Sequence, residues 1–313
     1  MPLKEKELIK RIRLAASRLR LPAGNLGIGD DAAVLRLPKG DDALVTTDFS
    51  LEDMHFRRDW HPPDAVGHRC LARGLSDIAA MGGTPRAVFL SLAMPPDLPQ
   101  RWVDQFMGGL LKLARRHSVA LAGGDTAQSP GGVLADIVVL GSVPGGRALL
   151  RSGARPGDLI YVTGSLGSAM ATLNELREGK KIAPKSRPKH FYPEPRIAVG
   201  KSLREKKLAS AAIDISDGLS TDLAHICEES NVGAVIYAEA LPMARLLSLE
   251  FALHGGDEYE LLFTAHPKRR IPKEIAGVPV TRIGEILPEK HLLLASSDGR
   301  TQTLAPAGWE HFG

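Results

Sequence analysis

Apolar residues recur at helical spacing at Leu8, Ile12, Ala15 and Leu19, which predicts an opening amphipathic helix. A glycine-rich acidic turn follows at Gly27-Ile28-Gly29-Asp30-Asp31. The run Ala43-Leu44-Val45-Thr46-Thr47-Asp48 reads as a buried strand ending in hydroxyls and a carboxylate. Between Asp64 and Met81, Val66, Cys70, Leu71, Leu75 and Ile78 mark one helix face, closed by Gly82-Gly83 and Pro85. A strand is predicted over 87–93, then a helix over 99–117 with Trp102, Phe106, Leu110 and Leu113 turned inward. A short apolar strand at 119–122 runs into Gly123-Gly124-Asp125, and another strand covers 135–141.

Turn residues crowd the stretch from Pro144 to Asp158, which places a domain boundary near residue 148. The second half restarts with a strand at 159–163, followed by a glycine turn and a helix. A strand at 211–215 leads into Ser216-Asp217-Gly218 and a helix on Leu219, Leu223 and Ile226. Strands at 234–237, 259–264 and 278–283 complete the set. Several connections read as hairpins or meanders, so a mixed α+β architecture fits better than a doubly wound sheet.

The 313 residues suffice for two domains, and 43% apolar with 24% charged residues is an ordinary globular balance. Two cysteines, Cys70 and Cys227, cannot staple a fold of this size, and no close Cys/His cluster suggests structural zinc. A reducing, cytoplasmic setting is the expectation. The opening Met1 to Glu7 is too charged for a signal peptide, and no apolar run approaches membrane-spanning length. A formal charge of +4 and 5% aromatics argue against nucleic acid, and the basic run from Lys180 to Lys207 reads as a solvated loop and helix face.

Two motifs mislead. Gly27 to Ala32 matches a dinucleotide fingerprint in letters, yet no strand precedes it and two aspartates would face a pyrophosphate. Gly200-Lys201-Ser202 ends like a P-loop, but Pro195 stands where the first glycine belongs. What recurs instead is an apolar element ending in a small acidic cluster beside glycine: Asp30-Asp31, Thr46-Thr47-Asp48, Ser76-Asp77, Gly123-Gly124-Asp125, Asp214 to Gly218 and Gly255-Gly256-Asp257-Glu258. Asp77 lies inside an apolar helix, where aspartate is unfavourable without a partner. Carboxylate and threonine oxygens are hard ligands that select magnesium or manganese. The residues by themselves imply a magnesium-dependent phosphate enzyme.

In this order, the clusters resemble the thiamine-monophosphate kinase family. The matching stretches are GIGDDAAVL (27–35), TTDFSLEDMHF (46–56), LARGLSDIAAMGGTPRAVFLSLAMP (71–95), LAGGDT (121–126), GRALLRSGARPGDLIYVTGSLG (146–167), AAIDISDGLSTDLAHI (211–226) and GGDEYELLFT (255–264). The resemblance implies ATP-dependent phosphorylation of thiamine monophosphate to thiamine diphosphate by direct in-line transfer, in a cytoplasmic homodimer. It also implies an N-terminal mixed α/β domain, 1–148, that binds ATP and magnesium and pairs its sheet across the dimer. The C-terminal α+β domain with a mixed sheet, 149–313, then completes the active site. By motif, Asp31, Thr46, Thr47, Asp48, Asp77, Asp125, Asp214 and Asp217 match the family's magnesium ligands, with Asp48, Asp125 and Asp217 as the catalytic set. Gly124, Asp125, Arg151 and Ser216 match its ATP contacts, and His55, Asp257 and Trp309 its substrate contacts. Asp30 reads as a turn residue beside Asp31. The chain departs from the family's Gly-Gly-Glu-Asp-Tyr-Glu-Leu by swapping the acids to Asp257-Glu258. The alternatives are a sister ATP-dependent enzyme, aminoimidazole ribonucleotide synthetase-like or selenophosphate synthetase-like, or a silent ATP- or RNA-binding protein.

Overall fold

The computed structural model describes residues 5–19, 25, 33, 35–243 and 247–310. They form two compact units, one drawn from within 1–78, 84–146 and 183–193, the other from 79–83, 147–182 and 194–313. The turn carrying Asp30 and Asp31 lies outside the described residues.

The first unit runs α1 (Glu5–Ala16), β1 (Asp41–Leu51), α2 (Pro63–Ala80), β2 (Thr84–Met94), α3 (Gln100–Arg116), β3 (Ala120–Gln128) and β4 (Leu134–Pro144). Its four strands form one mixed sheet in the order β1-β4-β2-β3. β4 pairs antiparallel with both β1 and β2, while β2 and β3 run parallel. On α2 the predicted stripe is buried throughout: Val66, Cys70, Leu71, Leu75 and Ile78 are at most 1% exposed. That helix packs on the sheet face carrying Ile137 and Val139, whose methyl groups lie against Gly74.

Two sequence expectations need correcting here. β1 is not buried on both faces, because Val45 and Phe49 are 68% and 55% exposed on the side away from α2. Nor do the acids end their strands: β1 continues to Leu51 and β3 to Gln128, so Asp48 and Gly123-Gly124-Asp125 are strand-interior residues.

In the second unit the elements are β5 (Leu159–Thr163), α4 (Ser168–Arg177), α6 (Ile197–Glu205), β6 (Ala211–Asp214), α7 (Leu219–Ser230), β7 (Gly233–Tyr237), α8 (Leu249–His254), β8 (Leu261–Ala265), β9 (Glu274–Ile275), β10 (Val278–Leu287), β11 (Leu292–Ala295) and β12 (Thr301–Thr303). The short α5 (Pro188–Phe191) belongs to the first unit. The second unit's sheet is eight-stranded and mixed, in the order β12-β11-β7-β10-β5-β8-β6 with β9 on β10. β7 and β11 are parallel and the other pairs antiparallel. Ile160, Val162, Ile213, Ile236, Leu262 and Ile283 form the fully buried heart of one core with α7. Each such side chain removes enough apolar surface to stabilise the fold by about 1.5–3 kcal/mol. The fold is thus α+β in two units with mixed sheets, as the sequence pattern indicates.

Candidate active site

Strand alternation sorts the first unit's acids between the two faces of its sheet. Thr46 and Asp48 point toward α2. There Thr46 Oγ1 donates a hydrogen bond to Asp77 Oδ2, the partner that an aspartate within an apolar helix requires. Arg73, one helical turn before Asp77, places Nε 3.8 Å from Asp48 Oδ1. Burial, and then the neighbouring Asp77, pushes the Asp48 carboxyl up from 3.8 to about 7 against the opposing pull of Arg73. An acid in that state holds a proton near neutral pH unless a cation replaces it. Thr46, Asp48 and Asp77 are therefore an all-oxygen donor set that suits a hard divalent ion.

Thr47 faces the other way and donates to Asp136 Oδ1 at 2.6 Å. Phe49, Asp136, Ser91 and Asp125 are register partners in one row across the sheet, so Asp125 shares that face with Thr47. The adjacent row is Asp48, Ile137, Leu90 and Gly124. β1 and β3 are opposite edges, so Asp48 and Asp125 stand about 14 Å apart at a strand spacing near 4.8 Å. One ion cannot take both from the same chain. Gly124 has φ +148, and a Cβ there would sit 1.9 Å from the Leu90 carbonyl oxygen. Only glycine lets β3 lie this close to β2. His55 closes the turn after β1, its Nδ1 accepting the Leu51 N–H at 3.0 Å, which leaves the ring proton on Nε2 in the neutral form.

In the second unit the centre is the turn between β6 and α7. Asp214 is buried at the end of β6, opposite Leu261. Ser216 and Asp217 follow, partly exposed. The Asp257 N–H donates to Ser216 O at 2.7 Å, and the Trp309 N–H donates to Asp217 O at 2.9 Å. Three sequence-distant segments carrying Ser216-Asp217, Asp257 and Trp309 are thus joined through the backbone of one turn. Trp309 itself is 44% exposed. Arg151 is exposed on its own surface segment, and its carbonyl accepts the Ser230 hydroxyl at 2.9 Å.

Comparison with known proteins decides the lineage. Residues 29–143 match the AIR synthase related protein N-terminal domain and residues 155–295 its C-terminal domain. The thiamine-monophosphate kinase of Escherichia coli (strain K12) is 39% identical over 96% of this chain and 95% of its own length. The chain belongs to the thiamine-monophosphate kinase family. It is accordingly an enzyme of the kinase class. Among solved structures, the family member from Stenotrophomonas maltophilia K279a superposes with a TM-score of 0.83 at 36% identity, covering 94% of this chain and 97% of that one. AaThiL complexed with AMPPCP and TMP gives 0.79 at 31% identity over 99% of both chains.

The swapped acids acquire distinct places within the thiamine-monophosphate kinase fold. Asp257, at φ +60, accepts the Tyr259 hydroxyl at 2.6 Å beside the 216–218 turn. Glu258 is buried, and its Oε1 accepts the Ala169 N–H at the start of α4, 3.1 Å away. The longer acid thus serves a helix N-terminus, where a negative charge is favoured. Sequence reasoning missed Asp136, the partner of Thr47. It also missed Asp222, whose Oδ2 accepts the N–H groups of Ser216, Asp217 and Gly218 at 3.1, 3.2 and 3.0 Å. Asp222 sits in the first turn of α7, four residues beyond a glycine. That pattern is common to many helix starts and does not announce a return contact. Burial and then the neighbouring Asp217 charge push Asp222 up to about 7, while the three N–H groups oppose the shift.

Proposed function

We propose that the protein transfers the γ-phosphoryl group of ATP to the phosphate of thiamine monophosphate, giving ADP and thiamine diphosphate, with magnesium. The observation that carries this reading is the partly buried cluster of Thr46, Asp48 and Asp77, an all-oxygen donor set in which Asp77 raises the Asp48 carboxyl toward neutral pH, in a chain that the family matches over 96% of its length. Magnesium would be held as several ions, by Thr46, Asp48 and Asp77 on one sheet face, by Thr47 at the β1 edge and by Asp125 at the β3 edge of the other face, and by Asp31, Asp214 and Asp217. When bound it supplies positive charge to the triphosphate as charge builds on the transferring group.

The chain's own residues position and shield. Gly124 keeps the β3 edge close against β2 and so sets the backbone along which the triphosphate would lie, and Ser216 and Arg151 offer a hydroxyl and a guanidinium to the nucleotide. Asp125 contributes a carboxylate on the same edge. His55 and Asp257 would orient thiamine monophosphate, and Trp309 would lie against its flat thiazolium cation, an attraction of about 1–2 kcal/mol in a partly desolvated site. The acceptor needs no dedicated general base, because a phosphate monoester with a second pKa of about 6 is largely ionised at neutral pH. Transfer is then a direct in-line displacement without a phosphoenzyme.

A homodimer accompanies this reading. The exposed apolar face of β1 with Val45 and Phe49, and donors divided between opposite edges, are both explained by a second copy covering that sheet. Two free buried cysteines suit a reducing cytoplasm, and no helix among the described residues is long and apolar enough to cross a membrane. The test is a substrate panel: purified protein with ATP and Mg²⁺ against thiamine, thiamine monophosphate, pyridoxine and formylglycinamidine ribonucleotide. Turnover of thiamine monophosphate alone supports the reading. Turnover of the ribonucleotide, or of thiamine but not its monophosphate, overturns it.

A further inference from the structure

The turn 216–218 has no helix-capping side chain of its own, since the residue before α7 is Gly218 with φ +127. Its three successive N–H groups instead converge on one oxygen of Asp222, a residue 2% exposed. With its donors held inward, the turn directs two carbonyls outward, one to the Asp257 N–H and one to the Trp309 N–H. Both contacts are made at glycine-lined approaches. A Cβ on Gly256 would fall 2.6 Å from Ser216 O, and one on Gly308 would fall 2.2 Å from Asp217 O. Neither approaching segment can slide without losing its hydrogen bond or striking the turn. A displacement of the turn therefore moves all three segments together.

We propose that Asp222 is a positioning residue that sets the nucleotide-side groups Ser216 and Asp217 and the substrate-side groups Asp257 and Trp309 at once, by fixing the turn to which both are tied. This rests on the kinase reading above, which assigns those four residues to ATP, magnesium and thiamine monophosphate. What the turn requires from Asp222 is an acceptor oxygen at one place. The competing role is that of a direct cation ligand, since ligand atoms of Asp217, Asp222 and His225 lie within 4.8 Å of one another. A ligand would require the negative charge, and would tolerate a small displacement better than its loss.

Two substitutions separate these roles in opposite order. Asp222→Asn keeps a carbonyl oxygen at the same reach and removes the charge. Asp222→Glu keeps the charge and moves the oxygen by one methylene. The positioning role predicts that Asp222→Asn leaves the KM values for ATP and thiamine monophosphate within about threefold of wild type. It predicts that Asp222→Glu raises both together by about five- to twentyfold. The reverse order, or a rise confined to one substrate, or a lower melting temperature with both KM values unchanged in the two variants, overturns it. Calorimetric titration of wild type and both variants with a non-hydrolysable ATP analogue and Mg²⁺ reads the same order without turnover. If wild type binds the analogue but does not phosphorylate thiamine monophosphate, the kinase reading fails, and the order of the analogue Kd values still judges the role of Asp222.

Discussion

Asp48 and Asp125 illustrate what a single carboxylate contributes. Each sits inside a strand of the first unit's sheet, on opposite edges, and neither is needed to fill a core. Asp48→Ala and Asp125→Ala should each lower kcat at least a hundredfold with unchanged circular dichroism. As proposed magnesium ligands, each would on loss remove on the order of 3 kcal/mol of transition-state stabilisation. Near-wild-type turnover would reduce either acid to a strand residue. Asp48 also carries a pH signature. Its folded pKa, about 7, lies above the ordinary carboxyl value of 3.8 that it has in the unfolded chain, so the folded protein holds more protons between those limits. The stability this contributes is complete below pH 3.8 and is lost as pH rises through about 7. Metal-free protein should therefore show a melting temperature that falls from pH 5 to pH 8. Asp222, raised in the same direction, adds to the trend, so Asp48→Asn should flatten the slope without abolishing it. An identical slope in the variant, followed by scanning calorimetry in EDTA, would contradict the account. Asp77 was legible in the sequence because a charge inside an apolar helix demands a partner. Asp222 and Asp136 were not, since their partners are backbone N–H groups and a hydroxyl that only the folded chain brings near.

Elements were read most securely where periodicity was strong. The α2 stripe and the strand over Leu159–Thr163 appear where the spacing placed them. Glycine misled at β3, where Gly123-Gly124 signals a turn by composition yet runs straight through a strand. The reason is steric and lies in the neighbour: β2 approaches so closely that only a hydrogen fits at Gly124. A short irregular pairing between β2 and β3 accompanies the approach. Gly124→Ala should therefore separate this edge, lowering the melting temperature and weakening ATP binding about tenfold or more, as read by calorimetric titration. The strain arises from a positive φ and a backbone clash together. Wild-type affinity and stability in that variant would mean the strand can relax and that the close β2–β3 approach does not set the nucleotide site. Short strands such as Glu274–Ile275 and Thr301–Thr303 escaped the sequence because two or three residues carry no period.

At the scale of the molecule, the second unit was legible as α+β from its alternation of strands, helices and hairpin connections. The first unit's open face was not. Val45 and Phe49 are as apolar as core residues, and a lone chain gives no sign that they remain 68% and 55% exposed. Their exposure is what a second copy would remove, so sedimentation at micromolar concentration should return about twice the chain mass, and Phe49→Glu should shift it toward the single chain. An active wild-type monomer would leave that face without an explanation.

The central claim is phosphoryl transfer from ATP to a phosphate acceptor, and ³¹P NMR of one reaction mixture tests it most directly. With purified protein, Mg²⁺, ATP and thiamine monophosphate, the account predicts that the monophosphate resonance converts to the two coupled signals of a diphosphate ester as ADP accumulates in equal amount. No inorganic phosphate should build up. ADP with stoichiometric inorganic phosphate and an unchanged thiamine monophosphate signal would contradict it.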